Sequence, residues 1–410
     1  MNFIQNTIKK ITDKLTTTQR PDYILLLLAS SLIIISILFS YSLSIYTVIY
    51  LEYNQLHFFI RQFFVGSLAI LIMWSFAHIN PDWLIPKIGW FLFSFVLLMI
   101  IMPFLPAFMV TQSGGATRWI RLPGFSLSPV EFFKIGFIYF LSNSFYRVLI
   151  PHKKVPFTQE LKLLIPYGIV FLIVVFLVAV LQKDLGQVVL LGAIFLVMLM
   201  FANRSYKVFI SLLGSVLVGM GILIAIAPHR ISRIQSWWSG IQDSILAMPF
   251  IPDFVVTALR VKEFPEAYQV GHSLNAINHG GLSGVGIGEG GLKLGFLSEV
   301  HTDFVLAGIT EEIGVLGLSA IVLILFSMVF RIFKISKRVE DTKYHLFTVG
   351  IGLMFIFAFL INSYGISGII PIKGIAVPFL SYGGSSLLSS AIAIGLVLSI
   401  SKKTYKGKYA

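Results

Sequence analysis

Asp303 stands in the run His301-Thr302-Asp303-Phe304, where a long glycine-rich segment gives way to an apolar stretch. A carboxylate at such an entry can take the proton of a substrate hydroxyl that comes within hydrogen-bond reach. The plainer role for a lone Asp at a helix start is to cap the helix. Glu131 and Lys134 lie three apart in another apolar stretch, which puts them on one face of a helix. Alone, they read as a pair that neutralises itself so that the helix can insert, and Arg61 has an equally plain reading near the end of its own stretch. Convergence changes the weighing. His279, His301, a glycine run (Gly280, Gly281, Gly284, Gly286, Gly288, Gly290 and Gly291) and a broken segment over 371–383 share the depth of Asp303. That convergence raises the weight of a functional reading for Asp303.

The elements that must position these groups follow from composition. Of 410 residues, 57% are hydrophobic and 12% charged, with mean hydropathy +0.89. Soluble domains carry about 25% charged residues, so a soluble chain of this composition would expose too much apolar surface. Stretches of the roughly 20 apolar residues needed to cross a bilayer fall near 23–46, 63–80, 88–110, 131–149, 163–182, 185–203, 208–228, 304–330, 345–363 and 384–400. The expected fold is therefore an all-α integral membrane protein of about ten transmembrane helices, with a large outer loop, 229–302, between the seventh and eighth. The membrane domain covers 23–400, flanked by basic tails over 1–22 and 401–410. In the first tail, Ile4, Ile8, Ile11 and Leu15 recur at helical spacing beside Lys9, Lys10 and Lys14, which suits membrane lipids of an anionic inner leaflet. A solvated tail fits equally well. The first span is too long for a signal-peptide core and is expected to remain.

The net charge of +13 does not point to nucleic acid, because the basic residues lie between apolar runs. With the N-terminus inside, most of the 31 Lys and Arg residues fall in inner segments, and both termini are expected in the cytoplasm. The remainder, Arg61, Arg118, Arg121, Lys134, Lys183, Arg230, Arg233, Arg260, Lys262, Lys293 and Lys373, lie outside or in the outer half of a helix, as do Glu131, Asp184, Asp303, Glu311 and Glu312. A charge at mid-bilayer costs roughly 2.5–3.5 kcal/mol, so the set implies a polar cavity or paired partners. Arg121 and Lys293 are expected merely to snorkel to the interface. Trp237 and Trp238 mark an interfacial helix. With no cysteine, neither disulfides nor thiolate-bound metal can brace the outer loops.

The residues 371–386, Pro371-Ile-Lys373-Gly374-Ile-Ala-Val-Pro378-Phe379-Leu380-Ser381-Tyr382-Gly383-Gly384-Ser385-Ser386, resemble the C-terminal signature of the SEDS family, the FtsW/RodA/SpoVE polymerases. The resemblance spans most of the chain. It takes in Arg118-Trp119, Pro129 with Glu131 and Lys134, Gln182 with Asp184-Leu185-Gly186, Tyr268-Gln269, the glycine run, His301-Thr302-Asp303-Phe304 and Glu311-Glu312 with Gly314. The glycine pattern and the His-Thr-Asp-Phe run are closer to the FtsW branch. Val130 replaces the family's usual Ser, Lys183 its usual Pro before Asp-Leu-Gly, and Ser298 another usual Pro. Lys183 is expected to pair with Asp184, which puts a direct role for Asp184 in doubt.

The resemblance implies a peptidoglycan glycosyltransferase that joins lipid II disaccharides into a growing glycan strand at the outer face of the cytoplasmic membrane, at the division septum. It implies Asp303 as the catalytic residue, with Arg61, Glu131 and Lys134 in the central cavity. Lys373, Arg118, His301 and Ser381 complete the expected substrate-binding set. The implied partners are a class B penicillin-binding protein and other divisome proteins. No ligand set demands a metal, although a divalent cation, Mg or Mn, could assist a leaving diphosphate. The rivals are a flippase for the same lipid, since broken helices and intramembrane charges suit transporters equally, and the elongation polymerase of the RodA branch.

Overall fold

The computed structural model describes residues 20–45, 48, 53–54, 56–113, 116–122, 125–149, 155–202, 205–249, 251–261, 268–297 and 300–404. The basic segment 1–19, Lys262 and Ser298 lie outside the described residues. In chain order the elements are α1 (Tyr23–Leu43), α2 (His57–His78), α3 (Pro81–Phe93), α4 (Phe95–Ile101), β1 (Val110–Ser113), β2 (Ala116–Leu122), β3 (Phe125–Leu127), α5 (Pro129–Ser144), α6 (Phe157–Val175) and α7 (Leu185–Phe201). They continue as α8 (Tyr206–Ala225), α9 (Pro228–Leu246), α10 (Asp253–Leu259), α11 (Tyr268–Gly280), α12 (Val305–Arg338), α13 (Thr342–Ile366) and α14 (Gly384–Ser401).

Eight helical stretches among the described residues are long and apolar enough to cross a membrane, α3 and α4 together forming one of them. Two shorter ones, α5 and α7, complete the ten expected spans, and α5 is prolonged by a π-helical turn over Phe145–Leu149. The chain is thus a multi-pass helical membrane protein. Starts follow side-chain chemistry: Asp22, Asn80, Asp184, Ser205 and Asp341 each accept a bond from the first turn of the helix they precede. Helices α5, α13 and α14 are largely buried and form the centre of the bundle, whereas α8 is exposed along nearly its whole length.

Three features depart from the sequence expectation. A three-stranded antiparallel sheet, β1-β2-β3, sits between α4 and α5, where the sequence reading placed only the connection between the third and fourth spans. Residues 229–302 hold three helices, α9 to α11, of which α9 carries Trp237 and Trp238. Helix α12 is not continuous: Gly314 adopts φ 72°, ψ 177° and splits it. The glycine run meets this break. Val285 and Gly286 donate to the carbonyls of Glu311 and Glu312, and Val315 and Leu316 donate to Gly281 and Leu282. A Cβ on Gly314 would lie 2.3 Å from the Leu282 carbonyl oxygen, and one on Gly284 2.3 Å from that of Glu312. These glycines bring two backbones together to satisfy an interrupted helix rather than to approach a ligand.

Lys293 does not snorkel. Its side chain is 1% exposed and its ammonium lies 2.6 Å from the Glu312 carboxylate, with Ser42 bonding both. An unpartnered charge at such a site would cost roughly 3–5 kcal/mol, so Lys293 and Glu312 depend on each other. Beside them Glu311 accepts from the Gly291 and Leu292 amides at 2.8 and 3.0 Å and meets His279 Nδ1 at 3.0 Å. The segment that leads into α12 is therefore locked onto α1 and α12.

Candidate active site

A cavity of about 730 Å³ opens between α2, the sheet, α5, α7 and the segment that precedes α14; Arg61, Arg118, Glu131, Asp184, Gln187 and Asp303 all line it. Each wall has a local cause. Helix α5 begins with Pro129 at its first position, which leaves Glu131 in the first turn. Lys134 follows one turn later, with Nζ 2.8 Å from Glu131 Oε2, and is buried. The other Glu131 oxygen accepts from Gln187 Nε2 at 2.9 Å, which ties α5 to α7. The sheet is fastened to α14 by Ser385, whose hydroxyl accepts from the Ser128 amide and donates to the Ser126 carbonyl. That anchor fixes β2 and with it Arg118.

Asp184 occupies the turn between α6 and α7. The end of α6 widens into a π-helical turn, Phe176–Leu181, and Lys183 then takes a left-handed φ of 52°. Arg118 holds this turn, donating to the carbonyls of Gln182 and Lys183 at 3.3 and 2.8 Å, and its Nε lies 3.6 Å from Asp184 Oδ2. The Asp184 partner is thus Arg118 rather than the neighbouring Lys183. Its other oxygen caps α7 at the Gln187 amide.

Asp303 belongs to a turn before α12 and is not the cap of that helix; the N-cap residue is Phe304, without a side-chain cap bond. Its backbone is held from below: Asn362 on α13 donates to both the Asp303 and Ile375 carbonyls, at 2.7 and 2.8 Å. A Cβ at Gly374 would come within 3.0 Å of Asp303 Oδ2, so the backbone at 374 presses against the carboxylate. Asn362 thereby supplies two carbonyls of non-helical backbone with a donor, as such backbone needs at this depth. Phe379, at φ 63°, is a second left-handed residue in the same segment, and strain of this kind gathers at sites held by their surroundings.

Not every expected substrate contact faces the cavity. Ser381 is buried behind the wall, where its hydroxyl donates to the Thr302 carbonyl at 2.7 Å and accepts from the Val377 amide. His301 is also buried, packed edge-on to Phe58, and its carbonyl accepts from the Tyr382 amide. Both hold the Asp303 turn in place. Lys373 lines an adjacent crevice instead, where burial first, and then Arg233 and Arg230, push its ammonium below the usual lysine range. Arg61 lines the cavity as expected and hydrogen-bonds the Tyr382 hydroxyl. Gln187 and Tyr382 were not singled out from sequence, although Gln187 lies three residues after Asp184, on the same helical face. Among the described residues, no three His, Asp or Glu side chains are grouped to hold a metal ion.

A model of the FtsW/RodA/SpoVE family, described as "Cell cycle protein", matches residues 22–406. The chain belongs to this family. A probable peptidoglycan glycosyltransferase FtsW from Helicobacter pylori is 47% identical over 378 residues, which cover 92% of this chain and 97% of that protein. A second, from Trichlorobacter lovleyi, is 32% identical and covers 93% of each. Among solved structures, the rod shape determining protein RodA of Thermus thermophilus aligns over 94% of this chain with a TM-score of 0.62 at 19% identity. A chain from a second solved structure, "Structural coordination of polymerization and crosslinking by a peptidoglycan synthase complex", aligns over 94% with a TM-score of 0.68, also at 19% identity. At that identity the likeness speaks for the SEDS fold alone. In this family member α2, the sheet, α5, the start of α7 and the segment before α14 enclose the cavity on which Asp303, Glu131 and Asp184 converge.

Proposed function

We propose that this SEDS protein is a peptidoglycan glycosyltransferase that polymerises lipid II at the outer face of the cytoplasmic membrane, in septal wall synthesis. The observation that carries the reading is Asp303, braced by Asn362 and Gly374 on the wall of a cavity that also presents Arg61 and Arg118. The geometry suits one inverting displacement. Asp303 takes the proton of the acceptor sugar hydroxyl, and the oxygen attacks the anomeric carbon of the donor. The bond from that carbon to the diphosphate oxygen breaks, its electron pair leaves with the polyprenyl diphosphate, and the α-linkage becomes β. The cations of the wall face the charge that appears on the departing diphosphate. Glu131 is engaged by Lys134 and Gln187 and is the alternative base.

A flippase would place its charged site near the midplane between two repeats, whereas here the charges gather beneath an outer loop. Purified protein, together with its transpeptidase partner, should convert lipid II into glycan chains. Scrambling of lipid II between leaflets without chain formation would favour the transporter. One of the similar chains belongs to a peptidoglycan synthase complex that coordinates polymerization with crosslinking, which supports a class B penicillin-binding protein as that partner.

In this reading both termini are cytoplasmic and α9 to α11 are outside, from the distribution of Lys and Arg. A reporter fused at Gln269 should read external and one at Ser336 cytoplasmic; a cytoplasmic signal at Gln269 would overturn the site as an outer-face site.

A further inference from the structure

Next to the main cavity lies a smaller crevice lined by Arg118, Lys183, Arg230, Arg233 and Lys373, with Asp184 as its one carboxylate. Five cations thus face one acid. Asp184 is already matched by Arg118, and Arg230 is spent on the carbonyls of Leu223 and Ala179, each at 2.5 Å. Among the described residues the side chains of Lys183, Arg233 and Lys373 make no hydrogen bond or ion pair. Their mutual repulsion registers on the groups around them. Burial lowers the proton affinity of His229 at the rim, and Arg230, Arg233 and Lys183 lower it further. Cations brought together without partners in a partly buried place are the arrangement that an anion relieves.

The crevice and the main cavity share a wall. Arg118 and Asp184 line both. Lys373 packs against the start of α7, where a Cβ on Gly186 would meet the Lys373 carbonyl oxygen at 2.7 Å, while the next residue, Gly374, packs against the Asp303 carboxylate. One peptide unit therefore has the cationic crevice at one end and the catalytic carboxylate at the other. The crevice encloses about 30 Å³, room for a single phosphoryl oxygen or a water, so a larger anion would rest across its mouth. Polymerisation brings two lipid-linked diphosphates to one site, the growing strand's and the incoming unit's. The main cavity's own wall cations, Arg61 and Arg118, serve one of them.

We propose that Lys183, Arg233 and Lys373 form a second anion subsite that takes the diphosphate of a polyprenyl-linked saccharide. The assignment rests on the polymerase reading for its ligand, and on the unpartnered cations for its existence. Lys183 stands where the family resemblance leads one to expect Pro, so the subsite includes a charge that the family pattern does not itself supply.

The test uses the full chain purified with its transpeptidase partner, and the double variant Lys183→Gln with Arg233→Gln. Geranylgeranyl diphosphate, titrated directly, should bind the parent in a salt-sensitive way and the double variant about tenfold more weakly or worse. Lys183→Arg with Arg233→Lys, which keeps the charges, should restore most of the binding and guards against simple misfolding. In polymerisation from lipid II, a raised KM at parental chain length assigns the subsite to the incoming unit. Shortened chains at nearly parental KM assign it to the growing strand, which then escapes early. Parental diphosphate binding in the Gln double variant, or unchanged KM together with unchanged chain length, overturns the subsite. If the parent binds the diphosphate in this charge-dependent way yet makes no glycan, the subsite stands and the polymerase reading fails.

Discussion

Asp303→Asn is expected to lower glycan-chain formation from lipid II by about 10²–10⁴-fold or more, the range that a general base typically contributes. Asn keeps the size of the side chain and can still pack against Gly374, but it cannot take the acceptor's proton. The backbone bond from Asn362 to the Asp303 carbonyl does not involve the side chain and should persist. Asp303→Glu retains the carboxylate and moves it by about one methylene into the backbone at Gly374, which already approaches Oδ2 so closely that a Cβ there would lie at 3.0 Å. Misplacement by about 1 Å can cost about 10²-fold, so Glu should fail to rescue. Both variants should reach the membrane and co-purify with the transpeptidase as the parent does. Near-parental chain formation by Asp303→Asn would assign the side chain a purely structural role, and Glu131 would be the next base to test.

Removing the charges of Glu131 and Lys134 together separates two roles. If the pair only neutralises itself, Glu131→Gln with Lys134→Met leaves no unpaired buried charge and should work. The Gln side chain can still accept from Gln187, so the tie between α5 and α7 survives. Glu131 nevertheless faces the cavity beside Asp184 and Gln187, and its charge sets the field in which Arg118 and Asp184 sit. The double variant is therefore expected to insert and assemble normally while losing about 10²-fold or more in polymerisation. Full activity would show that the pair serves insertion alone.

Much of the fold was legible because hydropathy and helix starts are local properties. Each expected span has its helix, and Asp184 and Ser205 each cap theirs at the amide three residues on. Glu131 and Lys134 were legible for the same reason, since one helix turn brings i and i+3 together. The sheet had its signals too, in the turn-favouring pairs Gly114-Gly115 and Pro123-Gly124 between short strand-forming runs. They were masked by the apolar stretches on either side.

The sequence by itself determined the class of this protein, its spans and the carboxylate at the entry to α12. Those features depend on residue type and on spacing along a single helix. Which charges meet across the fold was decided only by tertiary structure. Lys293 looked like an interfacial lysine until the loop carried it to Glu312, 19 residues away. Asp184 found Arg118, 66 residues before it, rather than the lysine beside it. The glycine run proved to be a clamp on a helix broken at Gly314, because a gap in a buried helix needs backbone donors from elsewhere. Lys183, Arg233 and Lys373 come from three separate parts of the chain and meet in one crevice. Nothing in their spacing announces that meeting, because it depends on the π turn that ends α6 and on where Lys373 packs against α7.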